Sequence, residues 1–322
     1  MAVAVGLVGV SGANTATAGA EPRYKVPRLG HVFTIVLENT SYEDVVSPAG
    51  QAAMPFLTGL TARGVTLDRM FATGHLSLDN YIAMTSGQPP NALTSADCFL
   101  YNCVYKHPKD KNIGDQLQAH GLSWKAYMEG MPTPCAHGIQ GQLDPFLGLG
   151  PTGGYATRHN PFMYYSDVVD HPVRCDVHDV PYTNFTSDLA AKKVPNYSLI
   201  VPNTCDDAHN GGAHCGLATA DAWLSANVPP ILRSPAYARH GVLIITFDES
   251  NVSDTRGCCK TAQGGRIFTL VLSPLSTHPG THSSTAYDHY SLLRTVQDGF
   301  GLRCLHKTCS HKNPPLGPEV LR

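Results

Sequence analysis

The chain has 322 residues and a net charge of −2, which is long enough for one large domain and excludes the basic face needed to grip a nucleic-acid backbone. Only 15% of residues are charged, while Gly and Pro number 30 and 24, so extensive ordered loop is expected between the regular elements. Lys106, Lys109 and Lys111 are interrupted by Asp110 and read as a solvated loop.

Residues 2–10 form an apolar run, and small residues follow as far as Ala20. This is the pattern of a secretory leader over residues 1–20; it is too short to cross a bilayer, and no other segment reaches transmembrane length. A first buried strand is expected at 32–37, ending in Glu38-Asn39. Amphipathic helices follow at 53–63 and 79–86, the second entered through Gly74-His75-Leu76-Ser77, and another at 113–120. Residues 129–182 are rich in Gly, Pro and His without periodicity and read as a loop-rich insertion. Helix 184–192, strand 197–201, helix 217–226, strands 242–247 and 267–272 and helix 288–300 complete the domain, placed at 30–303. Residues 310–322 read as a frayed tail. Apolar strands alternating with helices predict an α/β fold, a mainly parallel central sheet with helices on both faces.

Ten cysteines include three close pairs, Cys98/Cys103, Cys205/Cys215 and Cys304/Cys309, and Cys135 with Cys175 across a longer loop. Such usage fits disulfides in an oxidising compartment, hence a secreted, periplasmic or cell-envelope protein. Adjacent Cys258 and Cys259 are expected to bond to different partners. No paired Cys-x-x-Cys units are present to hold zinc.

Ligands in open α/β sheets gather at the carboxyl ends of the strands. There the chain places Glu38-Asn39, Asp207-Ala208-His209 and Asp248-Glu249. Carboxylates and an amide make an oxygen-rich set suited to Mg²⁺, Ca²⁺ or Mn²⁺; the plainer alternatives are a turn-capping Asn39 and salt-bridged acids. Ser77 opens a helix, where backbone N–H groups face an anion, although a serine there is commonly only an N-cap. Asn80 lies within reach of a phosphoryl oxygen. His75, His159, in Arg158-His159-Asn160-Pro161, His209 and His289 sit beside these motifs, as proton donors or phosphate ligands.

Five blocks occur in order: Glu38-Asn39-Thr40-Ser41-Tyr42; His75-Leu76-Ser77 with Asn80-Tyr81 and Ser86-Gly87; Pro202-Asn203 with Asp207 and His209; Thr246-Phe247-Asp248-Glu249; and His289-Tyr290-Ser291-Leu292-Leu293-Arg294. Together they resemble the phosphoesterase family of bacterial acid phosphatases, phosphatidylinositol-3-phosphatase-like enzymes and phospholipases C, on an alkaline phosphatase-like fold. The resemblance implies a divalent metal on Glu38, Asn39, Ser77, Asp248 and Glu249, with Ser77 as nucleophile. It implies catalytic or phosphate-binding roles for His209, His159 and His289, and substrate contacts from Asn80, His75 and Asp207. The family's His-Pro-Ser-x-Pro-Asn is altered here, Leu76 and Asp79 replacing both prolines, so Asp79 is expected to bring negative charge near the substrate. Thr40 stands where a basic residue is frequent, and Asp206-Asp207-Ala208-His209 replaces Asn-Asp-Met-His.

The implied activity is phosphoric monoester hydrolysis, extending to phosphoinositides, through a phosphoseryl intermediate. A phospholipase C-type phosphodiesterase and an inactive phospholipid- or sugar-binding protein are the alternatives. The implied partner is a phosphate ester small molecule or phospholipid headgroup, with neither nucleic acid nor an obligate protein partner. Protonated histidines on phosphate imply an acidic to neutral optimum.

Overall fold

The computed structural model describes residues 1–3, 24–210 and 214–322; the leader-like segment falls almost wholly outside the described residues. Among the described residues, nine strands form one sheet: β1 (His31–Leu37), β2 (Val65–Phe71), β3 (Trp124–Met128), β4 (Asp179–Pro181), β5 (Tyr197–Val201), β6 (Gly241–Phe247), β7 (Arg266–Ile267), β8 (Thr269–Leu272) and β9 (Thr281–Asp288). The order is β4-β3-β5-β1-β6-β8-β2-β7, with β9 also pairing with β2. Strands β4, β3, β5, β1 and β6 run parallel, as does β9 on β2; β8 is antiparallel to both β6 and β2, and β7 to β2. The sheet is therefore mostly parallel with an antiparallel minority, an α/β fold as expected.

Strands β1, β5 and β6 are buried almost from end to end, and each has a neighbour on both edges. Three expected elements differ in form. The 53–63 helix is broken at Met54, running as Pro55–Leu60 and closing in a 3₁₀ turn at Thr61–Arg63. The 267–272 strand divides at Phe268 into β7 and β8. The 217–226 helix continues to Leu232 through Pro229 and Pro230.

Residues 155–168 are buried throughout, so the second half of the 129–182 segment belongs to the body of the domain and ends in β4. The segment expected to fray is packed: Leu316, Val320 and Leu321 are buried, and the Tyr24 hydroxyl donates to the Leu321 carbonyl at 2.6 Å. Apolar side chains spaced along 316–321 hold it against the core, at odds with its Pro-rich start. Disulfides join Cys98–Cys103, Cys135–Cys175, Cys205–Cys215 and Cys304–Cys309. Cys258 and Cys259 pair with each other, because the other eight are already matched.

Candidate active site

Strand register builds the centre of the site. Leu37 at the end of β1 lies opposite Phe247 at the end of β6, so Glu38 and Asp248 leave the sheet side by side. The loop after β5 closes over them, and the Asp207 carbonyl accepts from the Glu38 N–H at 2.8 Å. Asn39 sits in the left-handed region at φ 49°, a conformation asparagine tolerates, and its N–H donates to Asp248 Oδ1 at 3.1 Å.

Ser77 is the first residue of the helix Ser77–Ser86. Before it, Leu76 holds φ at 74°, a strained conformation for a branched side chain. Three side chains hold that turn. Glu249 Oε2 accepts from the Leu76 N–H at 3.2 Å, Asp97 Oδ1 accepts from the Leu78 N–H at 3.0 Å, and Asn80 Oδ1 accepts from the Thr73 and Gly74 N–H groups at 2.9 and 3.0 Å. The hydroxyl thus fixed donates to Glu38 Oε2 at 3.0 Å, and Tyr81 OH, one turn along the helix, donates to Glu38 Oε1 at 2.5 Å.

Behind Ser77, His159 bridges two acids, with Nε2 at 3.5 Å from Glu38 Oε2 and Nδ1 at 3.4 Å from Asp207 Oδ2. Its ring stacks on Tyr81 with centroids 5.5 Å apart. Burial pushes the carboxyls of Glu38 and Asp207 well above their usual range, each reinforced by Asp248, and burial beside Glu249 pushes Asp248 up to about 8. Asp207 Oδ2, Asp248 Oδ2 and His159 Nε2 are buried without a hydrogen-bond partner. Three buried acids with two unpartnered oxygens fit a divalent cation, which would supply the missing contacts and the opposing charge. Ligand atoms of Glu38, His159 and His209 also lie within 4.8 Å of one another.

A pocket of about 430 Å³ opens onto this centre, and its polar lining includes Asn39, Ser77, Asp97, Arg158, His209 and Glu249. Of the metal set named from sequence, Glu38 and Asp248 meet at the centre, and Asn39, Ser77 and Glu249 face the pocket. Glu249 is also engaged by His75, whose Nδ1 lies 2.7 Å away, while His75 Nε2 reaches the Asp254 carbonyl at 2.9 Å. The hydrogen bond with Glu249 raises the His75 pKa, so His75 is an anchor for Glu249.

Three expectations are corrected. His289 is not in the pocket: its ring is fully buried between Thr73 Oγ1 and the Phe247 carbonyl, and burial lowers its pKa to about 4. The Asn80 amide also bonds the Gly74 and Leu76 carbonyls, so it shapes the turn behind the pocket. Asp79 points away too, accepting from Ser95 Oγ at 2.5 Å, and burial raises its pKa to about 6. At two of the histidines expected against phosphate, the buried setting works against the protonated form. Burial lowers both His159 and His209, with Arg158 adding to the effect.

The pocket's cation is Arg158, which sequence reasoning passed over in favour of its neighbour His159. Its guanidinium donates to the Leu147 carbonyl at 2.9 Å, lies 3.0 Å from His209 Nε2, and faces Asp97 Oδ2 at 3.6 Å. Tyr81 and Asp97 were passed over too. Tyr81 stands in a quoted motif, but nothing local shows that its hydroxyl reaches Glu38.

The model of the Phosphoesterase family matches residues 39–303. An acid phosphatase of Aspergillus fumigatus is 26% identical over 277 residues, covering 85% of this chain and 55% of that protein. A phosphatidylinositol-3-phosphatase of Mycobacterium tuberculosis is 26% identical over 281 residues, covering 86% of this chain and 79% of that one. The chain thus spans little more than half the length of its Aspergillus relative. Among solved structures, a protein in the alkaline phosphatase superfamily from Vibrio parahaemolyticus superimposes with a TM-score of 0.56 at 14% identity, covering 91% of this chain and 72% of that one; this likeness is one of fold.

Proposed function

Because the chain belongs to the Phosphoesterase family, we propose that it is a metal-dependent phosphoric monoester hydrolase of the acid phosphatase type, exported from the cytoplasm and acting through a phosphoseryl intermediate on Ser77. The observation that carries the proposal is the Ser77 hydroxyl, held 3.0 Å from Glu38 at the mouth of a cluster of buried acids. Glu38, Asp248 and Asp207, with Asn39 and Glu249 around them, would hold a divalent cation. When bound, the cation would lower the pKa of the serine hydroxyl and offset charge on the phosphoryl group.

The chain's own residues account for the rest. The strained turn at Leu76 aims the Ser77 Oγ into the pocket, and Glu38 receives its hydrogen bond. In-line attack forms the Ser77 Oγ–phosphorus bond as the ester oxygen leaves, and water then cleaves the phosphoserine. Arg158 donates to the equatorial oxygens of the transferring group, at the cost of its contact with His209. His209 lines the same pocket and, once Arg158 has turned from its Nε2 to the phosphoryl group, is the candidate proton donor to the leaving oxygen. Disulfides support export, and among the described residues no helix is long and apolar enough to cross a membrane.

The test compares initial rates on a chromogenic phosphate monoester and its matched diester, with Mg²⁺ or Mn²⁺ and after chelation. Monoester preference, loss on chelation and a fall of at least about 10³-fold in Ser77→Ala are expected. A Ser77→Ala protein with full activity would refute the nucleophile, and a diester preference would move the reading to phosphodiesterases.

A further inference from the structure

The pocket has a polar floor and an apolar rim. Phe99, Leu149 and Val252 line its mouth, and Leu100, Ile139 and Leu143 continue the same surface outward. The continuity is bonded, since the Asp144 N–H donates to the Phe99 carbonyl at 2.9 Å and the Gly141 N–H to the Tyr101 carbonyl at 3.4 Å. These are strongly exposed side chains, with Leu149 at 78%, Val252 at 71%, Ile139 at 66% and Leu143 at 64%. Apart from Met1, Val3, Val173 and Val177, every large apolar side chain exposed among the described residues lies on this rim or on the loops that form it.

The charge pattern of those loops indicates what covers them. Residues 93–105 and 132–157 contain no Lys or Arg and only two acids, Asp97 and Asp144, both buried, while the Val252 loop carries Asp254 and Arg256, the arginine pairing with Asp254 and with Glu43. Asp97 caps the Ser77 helix and Asp144 accepts from the Phe146 N–H and Thr157 Oγ1, so neither reaches the surface. A surface apolar and uncharged over residues 93–105 and 132–157, beside a cavity carrying Arg158, matches a molecule with a phosphate at one end and hydrocarbon at the other. The Cys98–Cys103 bridge and Cys135, tied to Cys175, hold the loops in place.

We propose that this rim is a docking surface for a lipid bilayer, on which the enzyme takes phosphate monoesters of membrane lipids directly from the interface. The inference rests on the phosphoesterase reading for its chemistry but not for its binding. Attachment is by apolar insertion rather than by a basic patch, so it resists salt. Phe99, Leu149 and Val252 meet the hydrocarbon nearest the ester, while Leu100, Ile139 and Leu143 enter the bilayer beside them.

The test uses the whole protein and a triple variant, Leu100→Ser/Ile139→Ser/Leu143→Ser, which leaves the pocket lining untouched. Both are mixed with phosphatidylcholine vesicles carrying phosphatidic acid, at low and high salt, and binding is read by co-sedimentation. Hydrolysis of the vesicle lipid and of a water-soluble chromogenic monoester is measured in parallel. The wild type should co-sediment at both salt concentrations. The variant should lose binding and vesicle-lipid hydrolysis at least about tenfold while its rate on the soluble ester stays within about twofold. Equal binding and equal vesicle-lipid hydrolysis by the two proteins would overturn the proposal, as would vesicle binding abolished by salt. A wild type that ignores vesicles but dimerises in sedimentation velocity, with a monomeric variant, would assign the rim to a second copy and also overturn it. Vesicle binding lost in the variant, without hydrolysis of either ester by the wild type, would sustain the surface and reject the phosphoesterase reading.

Discussion

Arg158 shows how one side chain alters the electrostatics of a pocket. With His159 and His209 both lowered by burial, its guanidinium supplies the fixed positive charge. Arg158→Met is expected to lower kcat/KM for a phosphate monoester by about 10²-fold, and Arg158→Lys should recover part of that loss; steady-state kinetics decides. Asp179 presents a separate case, away from the pocket. Burial pushes its carboxyl up to about 8, and one oxygen accepts from Asn160 while the other has no partner. A carboxyl raised in the folded state binds its proton more tightly there than in the unfolded chain. Its contribution is therefore full below the unfolded value of about 4 and is lost as pH rises to about 8, by up to ~1.4 kcal/mol per unit. Asp179→Asn should remove that slope, so calorimetric melting from pH 5 to 8 should show the variant gaining on the wild type as pH rises.

At the scale of elements, the turn into the helix Ser77–Ser86 depends on Asn80, whose amide contacts four backbone groups of residues 73–76. Asn80→Ala leaves buried N–H groups unpaired, so about 2 kcal/mol of stability should go, visible as an earlier urea midpoint, together with a lower kcat. Asn80→Asp should restore the acceptor contacts and with them part of the stability. This turn also shows what sequence can convey. The residues of the site stood out as polar groups after apolar strands, because β1, β5 and β6 are buried on both faces and carry unbroken apolar runs. Strand β2 is interrupted by Asp68-Arg69 and half of β9 is exposed, so neither displays that pattern. Arg158 was hidden because only long-range folding brings the 155–168 segment against the sheet. Asn80 was recognised by position but not by role, since its spacing from Ser77 serves a phosphate contact and a turn equally well.

For the molecule as a whole, the buried acids set stability against function. Glu38, Asp207 and Asp248 repel one another where no cationic side chain neutralises all three, so the metal-free protein should be less stable than its loaded form. Adding Mn²⁺ or Mg²⁺ to chelator-treated protein should raise Tm with ion concentration, by about 2.7 kcal/mol of stability at a hundredfold excess over Kd. Asp248→Asn should start from a higher Tm and respond less, as differential scanning fluorimetry would show. The side chains meeting at this centre come from positions 38, 77, 159, 207 and 248, carried by separate strands, loops and helices. No fragment or half-assembled sheet can hold them together, so turnover counts only molecules that have completed their fold. Specific activity is thus a direct assay of the native fraction in any preparation, one that a far-ultraviolet spectrum, sensitive to helices formed out of place, cannot replace.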